Sequence, residues 1–352
     1  MKRQEYKRIS RKRSGKRLAI KISLLVALTA FLSVVGYGVF LQKKATNAAN
    51  RAYEALDDRT KSELREEAVE PLKDNVSILF IGVDESDKRK DSGNPRSDAL
   101  LVATLNNKEK TVKLLSIPRD SYVYVPSRGR QDKITHAHAF GGTKGTIDAV
   151  EGFLDIPIDY YVKMNFNAFI EVVDAVGGID VEVPYDRIEL DENDQRTIEL
   201  KKGLQHLDGQ HALALARTRK LDSDVERGKR QQMILQAIMK EAFSVKSITK
   251  YGDVIDAIGD NMKTDMTFNE MKSFIEYVKG GIPEVTMLNL AGTDDMSTGI
   301  YYWMLDEEQL DDVKYELKSH LGLSPFSTSL TDKSRGLETD SNEAADEADY
   351  KK

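Results

Sequence analysis

Apolar and polar positions follow two periods along the middle of the chain, and together they predict a sheet covered by helices. Residues 76–83 (VSILFIGV) are an unbroken apolar run, which is typical of a strand buried on both faces. Further strands are predicted over 99–105, 111–117, 158–164, 179–183 and 285–290. Helical patterns occupy 143–154, 166–176, 208–216, 224–243, 246–258, 267–279 and 306–319. The alternation predicts an α/β fold with a mixed central β-sheet flanked by helices (α/β/α).

The first 42 residues have the pattern of a membrane anchor. No charge occurs over residues 22–42, and at about 1.5 Å per residue this stretch can cross a hydrocarbon core of roughly 30 Å as one transmembrane helix. Residues 1–21 carry ten lysines and arginines and one acid. Because positive charge stays on the cytoplasmic side, we expect a single-pass type II protein of the cell membrane with an extracellular domain. A cleaved signal peptide is the alternative, although its apolar region usually has only about 7–15 residues.

Composition divides the rest of the chain. Residues 43–75 are polar and helix-prone, which predicts an extracellular stalk, and residues 76–323 carry the pattern of the folded domain. Residues 324–352 are acidic and almost lack large apolar side chains, so we expect them to be disordered. The chain has no cysteine, which fits an exported protein without disulfides and excludes a thiol nucleophile.

Aspartates and arginines recur at the ends of the first three strands. Asp84 follows the first strand, Arg96 and Asp98 precede the second, and Arg119 follows the third. If the first two strands are neighbours, the two carboxylates meet at one edge of the sheet, where ligands gather in α/β folds. Mg²⁺ often takes only one or two carboxylates, with phosphate oxygens and waters completing its shell. The alternative is that Asp84 and Asp98 are ordinary turn and cap residues.

A second charged group follows the helix predicted over 208–216. Arg217 and Arg219 are two residues apart, so in extended backbone their guanidinium groups project to the same side. The next helix carries three polar residues on one face: Asp224, Arg227 and Gln231. The alternatives are a solvated basic turn and a surface ion pair. Arg230 lies off that face, and we expect it to be solvated.

Two histidines invite comparison with a metal site. His136 and His138 alternate, which on a strand would place both rings on one face, but no third ligand is evident. A hydrogen-bonding or substrate-lining role is therefore favoured. Nearby Lys133 is a plausible phosphate contact. The sequence lacks P-loop, G-x-S-x-G and H-E-x-x-H motifs, so those three chemistries have no support.

Taken in order, these segments resemble the LytR–CpsA–Psr family. The resemblance covers residues 76–245 and rests on seven matching segments: ILFIGVD at 78–84, RSDALL at 96–101, SIPRD at 116–120, KITHAHAFGG at 133–142, VVDAVGGIDVEV at 172–183, GLQHLDGQHALALARTR at 203–219 and DVERGKRQQMIL at 224–235. Each segment alone is a modest signal, but their order and spacing together are specific. The short basic tail and single span also fit the family.

The resemblance implies a membrane-anchored phosphotransferase outside Gram-positive cells. Such enzymes take a glycopolymer, such as wall teichoic acid or capsule, from a polyprenyl-pyrophosphate carrier. Wall teichoic acid is the polymer expected here, with capsule or another polymer as the alternative. They attach it through a phosphodiester to the C6 hydroxyl of N-acetylmuramic acid in peptidoglycan. An apolar cavity between sheet and helices would receive the prenyl tail, although nothing in the periodicity shows such a cavity. No nucleic acid is expected as a partner.

The same resemblance implies roles for individual residues. Asp84 and Asp98 would hold Mg²⁺ at the pyrophosphate, and Arg96 would brace that edge with Asp224 supporting it. One further set would bind the pyrophosphate: Arg119, Arg217, Arg219, Arg227, Gln231 and Lys133. The catalytic residues would be Asp84, Asp98, Arg96 and Arg119. Asp84 or Asp98 could help to remove the proton of the sugar hydroxyl.

Two alternatives use the same features differently. A lipid-pyrophosphate hydrolase would have the same site with water as the acceptor. A membrane-bound transcriptional regulator would contact nucleic acid through the basic residues 1–21. That tail has only about twenty residues and no helix-turn-helix pattern, which disfavours the regulator.

Overall fold

A computed structural model describes residues 36–56, 59–83, 95–191, 195–218, 224–242, 259, 261–278 and 283–323. Its strands are β1 (Val76–Val83), β2 (Ser97–Asn106), β3 (Thr111–Ile117), β4 (Tyr122–Val125), β5 (Arg130–Lys133), β6 (Tyr160–Asn165), β7 (Ile179–Val183), β8 (Arg187–Leu190), β9 (Arg196–Leu200), β10 (Gly203–Leu207), β11 (Met262–Thr264), β12 (Glu284–Asn289), β13 (Gly292–Asp295) and β14 (Tyr302–Leu305). Its helices are α1 (36–52), α2 (Thr135–Leu154), α3 (Phe166–Val176), α4 (Gly209–Arg217), α5 (Asp224–Ala242), α6 (Phe268–Val278) and α7 (Glu307–Leu321).

Six strands form the central sheet in the order β11-β6-β1-β2-β3-β12. Strand β1 is parallel to β6 and antiparallel to β2, and β3 is antiparallel to β2 and parallel to β12. Strands β1, β3, β6 and β12 therefore end at the same edge at which β2 begins. This mixed sheet confirms the predicted fold class.

Helices cover both faces of the sheet, as the continuous apolar strands predict. On the first face, Leu79, Ile81 and Leu115 belong to one buried cluster with Ile147 of α2 and Leu317 of α7. On the second face, the alternate side chains pack towards α5 and α6; this set includes Phe80, Leu114, Leu235 and Tyr277. A separate cluster beside the second face joins α3, α4, α5 and the strands β7 and β9.

Several predicted elements have the observed bounds, but the predicted start of α2, at residue 143, was wrong. The predicted bounds of 76–83, 111–117, 166–176 and 179–183 match β1, β3, α3 and β7. Helix α2 begins at Thr135 and is kinked at Gly142, whose φ of 60° and ψ of −153° are not helical. The glycines at the kink hide the helical period of the residues before it, so the two histidines lie on a helix and not on a strand. The helix predicted over 246–258 lies outside the described residues.

The two ends of the chain are described only in part. Residues 22–35 of the predicted span, like 1–21 and 324–352, lie outside the described ranges. Within those ranges, no helix combines the length and the apolar character needed to cross a bilayer. The end of the predicted stalk contacts the domain, because Arg59 forms an ion pair of 2.9 Å with Glu151 and Arg65 one of 2.8 Å with Asp159. The division of the chain into tail, span and stalk stays a prediction.

His320 is a buried histidine that joins α7 to the central sheet. Its Nδ1 lies 2.7 Å from Thr104 Oγ1 and its Nε2 lies 2.9 Å from Thr111 Oγ1. Burial, and then the charge of Lys113, lower the pKa of His320 to about 4. Between about pH 6.5 and pH 4 the ring is therefore neutral in the folded protein, whereas a histidine in the unfolded chain is protonated.

Protonation of His320 should make the fold less stable in acid. The unfolded chain binds this proton near pH 6.5 and the folded protein only near pH 4, so this contribution to the free energy of unfolding decreases as the pH falls between these values. Asp265, whose pKa burial raises to about 6, acts in the opposite direction. Denaturant titrations of the wild type and His320→Gln separate the contribution of His320 from that of Asp265. We expect the free energy of unfolding of the wild type, relative to that of His320→Gln, to decrease from pH 7 to pH 4. A difference between the two proteins that stays constant over this range would contradict this.

Candidate active site

The two charged groups found in the sequence come together at one edge of the central sheet. Val83 at the end of β1 pairs with Ser97 at the start of β2, and Leu100 pairs with Ile117 at the end of β3. The segments that carry Asp98 and Arg119 therefore leave the sheet side by side. Asp84, which follows β1 directly, lies outside the described residues.

Oppositely charged side chains form a continuous chain along this edge. Arg119 Nη1 donates to Asp98 Oδ1 at 2.7 Å, and Arg119 Nε lies 3.3 Å from Asp120 Oδ2. Lys133 Nζ lies 2.8 Å from the other carboxylate oxygen of Asp120. Burial alone would raise the pKa of Asp120, but the hydrogen bond from Lys133 and the charges of Arg119, Lys133 and Arg227 lower it below its ordinary value of 3.8. Asp120 is therefore ionised at neutral pH and holds Arg119 and Lys133 in place.

A cavity of about 830 Å³ lies beside this edge, between the second face of the sheet and helices α3 to α5. Six of the residues predicted for the site line it: Arg96, Asp98, Arg119, Arg217, Arg227 and Gln231. Most of the other lining residues are apolar, among them Phe80, Leu101, Met164, Phe169, Ile234 and Ile238. The cavity is thus charged where the strands end and apolar along the face of the sheet.

Helices α4 and α5 position the second charged group. Arg217 ends α4, donates through Nη1 to the carbonyl oxygen of Asp191 at 2.9 Å, and lies 4.5 Å from the ring centroid of Phe166. Arg227 on α5 is buried, with 4% of its surface exposed. Gln231 Nε2 lies 3.3 Å from the carbonyl oxygen of Ala216. All three side chains line the same cavity.

Three further residues were predicted for the site: Arg219, Asp224 and Lys133. Arg219 lies outside the described residues, and Asp224 begins α5 but its side chain is not described. Lys133 does not line the cavity; its ammonium group binds Asp120 instead. A direct contact between Lys133 and a ligand in the cavity therefore has no geometric support.

Sequence reasoning missed the β8–β9 hairpin. Arg187, Glu189 and Arg196 from these two strands also line the cavity. Arg187 Nε binds Glu189 Oε1 at 2.9 Å, which keeps both side chains on one face of the strand. The alternation of charged and apolar residues over 187–190 was the available signal, because a period of two predicts such a strand.

The expectation that Arg230 is solvated was wrong. Only 5% of its surface is exposed. Its Nη2 donates to the carbonyl oxygen of Thr218 at 2.7 Å and its Nε to that of Leu215 at 3.3 Å. The last carbonyl groups of a helix have no partner within the helix, and Arg230 supplies donors to the end of α4. It therefore stabilises the segment that carries Arg217.

His138, one of the two histidines on α2, has a structural role. On a helix, residues two apart point in nearly opposite directions, so the two rings do not share a face. His138 is buried, and its Nδ1 lies 2.7 Å from the carbonyl oxygen of Pro95, while Thr135 Oγ1 donates to that of Ser97 at 2.6 Å. These bonds fix the backbone on both sides of Arg96. Among the described side chains, no group of three histidines and acids could hold a metal ion.

A protein-family model described as the LytR_cpsA_psr family matches residues 39–319. The chain belongs to this family. One relative is the polyisoprenyl-teichoic acid--peptidoglycan teichoic acid transferase TagT of Bacillus subtilis (strain 168), which is 37% identical over 321 residues, or 90% of this chain and 99% of that protein. The resemblance of the sequence motifs is confirmed by both comparisons.

Two solved structures share the fold of this LytR_cpsA_psr family member. TagT bound to LI-WTA is 39% identical, has a TM-score of 0.67, and aligns over 77% of this chain and 100% of its own. The LytR-CPS2A-psr family protein YwtF (TagT) with bound octaprenyl pyrophosphate lipid is 36% identical, with a TM-score of 0.63 and the same coverage of 77% and 100%. Both confirm the mixed α/β domain with its flanking helices.

Proposed function

We propose that this protein transfers wall teichoic acid from a polyprenyl-pyrophosphate carrier to peptidoglycan. The cavity is the observation that carries the proposal, because one ligand must match both its mainly apolar lining and its arginines. A prenyl chain with a pyrophosphate head has these two properties. The names of the relatives and the lipid in the related TagT structure support the same assignment.

The arginines would bind the pyrophosphate. A guanidinium group offers donors in a fork that fits phosphate oxygens, and it keeps its charge in a partly buried site. Arg119, Arg217 and Arg227 line the cavity, and Gln231 adds an amide donor on the same side. Arg219 would join this group from the segment after Arg217. Lys133 would contribute indirectly, by fixing Asp120 behind Arg119.

Mg²⁺ would be held by Asp98 and Asp84, with Arg96 beside them. Asp98 fits this role because its carboxylate lines the cavity next to Arg119, and Mg²⁺ prefers carboxylate and phosphate oxygens. Asp84 follows Val83 directly in the sequence, and Val83 pairs with Ser97 at the start of β2. When bound, the ion would neutralise charge on the phosphoryl group. Asp224 would support this edge from α5.

The proposed reaction exchanges the phosphoanhydride bond of the pyrophosphate for a phosphoester bond to the acceptor. The C6 hydroxyl of N-acetylmuramic acid attacks the phosphorus that carries the glycopolymer, and a new O–P bond forms. The P–O bond to the polyprenyl phosphate breaks, and this lipid phosphate leaves with the bonding electrons. The hydroxyl proton passes to a neighbouring carboxylate, Asp98 or Asp84, and then to solvent. Such a transfer depends on positioning and charge neutralisation, which the arginines provide.

Removing the Arg119 side chain should slow the transfer. With full-length protein in detergent, a lipid-linked glycopolymer and peptidoglycan strands, Arg119→Ala should lower kcat/KM by about 10²–10³-fold, the range for one lost donor to a transition state. Arg119→Lys should recover only part of this, because an ammonium group cannot form the fork.

Chelation by EDTA should stop the reaction and Mg²⁺ should restore it.

The control for this experiment is Lys229→Ala, which removes an exposed cation from α5 outside the cavity lining. Products with and without peptidoglycan separate transfer from hydrolysis. Transfer requires the polymer to become attached to peptidoglycan, whereas a hydrolase releases it equally in both reactions. Arg119→Ala with the activity of the wild type would refute the assigned site.

We also propose that residues 22–42 anchor the protein in the cell membrane with the domain outside. The uncharged stretch and the basic residues before it support this topology. The chain has no cysteine, so single introduced cysteines report their side of the membrane. On intact cells, a membrane-impermeant maleimide should label Ser319→Cys, at an exposed position of α7, but Ser10→Cys only after permeabilisation. The reverse labelling would refute the topology.

A further inference from the structure

Four tyrosines form a surface beside the charged edge of the sheet. Tyr122 and Tyr124 alternate on β4, so both point away from the buried Val123 and Val125. Tyr302 of β14 contacts Tyr122 with ring centroids 4.8 Å apart, and Tyr301 precedes it. Tyr124 has 53% of its surface exposed, and the other three are half-buried. We call these four residues the tyrosine surface.

The tyrosine surface is joined to the candidate active site by Lys133. Lys133 pairs with Tyr122 across the β4–β5 ladder, and its Nζ lies 5.7 Å from the ring centroid of Tyr302 and 5.8 Å from that of Tyr301. The same Nζ binds Asp120, which contacts Arg119. The backbone connects them too, since Trp303 N donates to the carbonyl oxygen of Asp120 at 2.9 Å. Two residues, Lys133 and Asp120, therefore connect the tyrosines to Arg119, which lines the cavity.

The tyrosine surface and the cavity lie on different sides of this edge. Strand β4 packs through Val123 and Val125 into the cluster on the first face of the sheet, whereas Phe80 and Leu101 line the cavity on the second face. None of the four tyrosines is among the residues that line the cavity. A ligand whose lipid tail fills the cavity would therefore have the tyrosine surface beyond its head group.

Phosphoryl transfer requires the leaving lipid phosphate and the acceptor hydroxyl to lie on different sides of the phosphorus. The attacking and leaving oxygens lie roughly in line on opposite sides of the phosphorus. In the proposed function the leaving group is the lipid phosphate, whose tail occupies the cavity, so the acceptor hydroxyl must approach from the opposite side. The tyrosine surface lies on that side and is linked to Arg119 through Lys133 and Asp120. It is also open, as a long polymeric acceptor requires.

We propose that the tyrosine surface binds the acceptor glycan strand of peptidoglycan and directs its hydroxyl towards the edge of the sheet at Asp98 and Arg119. This inference rests on the proposed function. Tyrosine suits a sugar polymer, because its flat apolar ring packs against the C–H face of a pyranose while its hydroxyl bonds to sugar hydroxyls. Tyr124 is accessible to such a ligand, with 53% of its surface exposed on the strand.

The binding of lipid-free, uncrosslinked peptidoglycan strands to the full-length protein in detergent tests this proposal. Tyr124→Ala should raise the Kd for the strands about fivefold, the magnitude expected for the loss of one aromatic contact. Tyr124→Phe keeps the ring and should retain most of the affinity. The matched control is Tyr315→Ala, which removes a tyrosine that is 60% exposed on α7 and should leave the Kd unchanged.

Kinetics identify which substrate the surface binds. Tyr124→Ala should raise the KM for strands by the same factor and leave kcat and the KM for the lipid-linked donor unchanged. A rise in the donor KM instead would assign the surface to the donor glycan and overturn the proposal. So would wild-type protein that does not bind strands, or equal binding by Tyr124→Ala and Tyr315→Ala. Strand binding that depends on Tyr124 without any transfer would refute the proposed function alone.

Discussion

The antiparallel pairing of β1 with β2 is the constraint on which the rest of the site depends. Because Val83 lies opposite Ser97, the segments that flank these strands leave the sheet at one edge, and β3 adds Arg119 there. The bonds from Arg119 to Asp98 and Asp120, and from Asp120 to Lys133, then fix four charged side chains in a row. A shift of β2 by one residue would turn Asp98 to the other face and disconnect this row.

The two faces of the sheet would then have separate tasks. The second face and helices α3 to α5 enclose the cavity, which suits a lipid, while the first face supports β4 and the tyrosine surface, which suits a glycan. Buried hydrogen bonds fix the segments that carry the site residues. Arg230 binds the end of α4, and His138 and Thr135 hold the backbone around Arg96. These residues support the site without lining the cavity.

The sequence predicts those features that repeat locally. The apolar run of β1 and the amphipathic period of α3 fix their bounds, and the charged residues at strand ends indicate a shared edge. Packing between distant segments leaves no such signal. Arg230 looks like a surface residue until α4 is placed against α5, and the kink at Gly142 hides the first turns of α2. The cavity likewise arises only when helices α3 to α5 and the β8–β9 hairpin are arranged over one sheet face.

The proposed function requires that the cavity holds a polyprenyl chain with its pyrophosphate at the arginines. Mass spectrometry of the lipid that co-purifies with the full-length protein tests this most directly. Ala99→Phe is the matched variant, since Ala99 lines the cavity and a larger ring there would occupy its space. We expect a polyprenyl pyrophosphate with the wild type and its loss from a folded Ala99→Phe protein. Only ordinary phospholipid with the wild type, or the same prenyl lipid in both, would contradict the account.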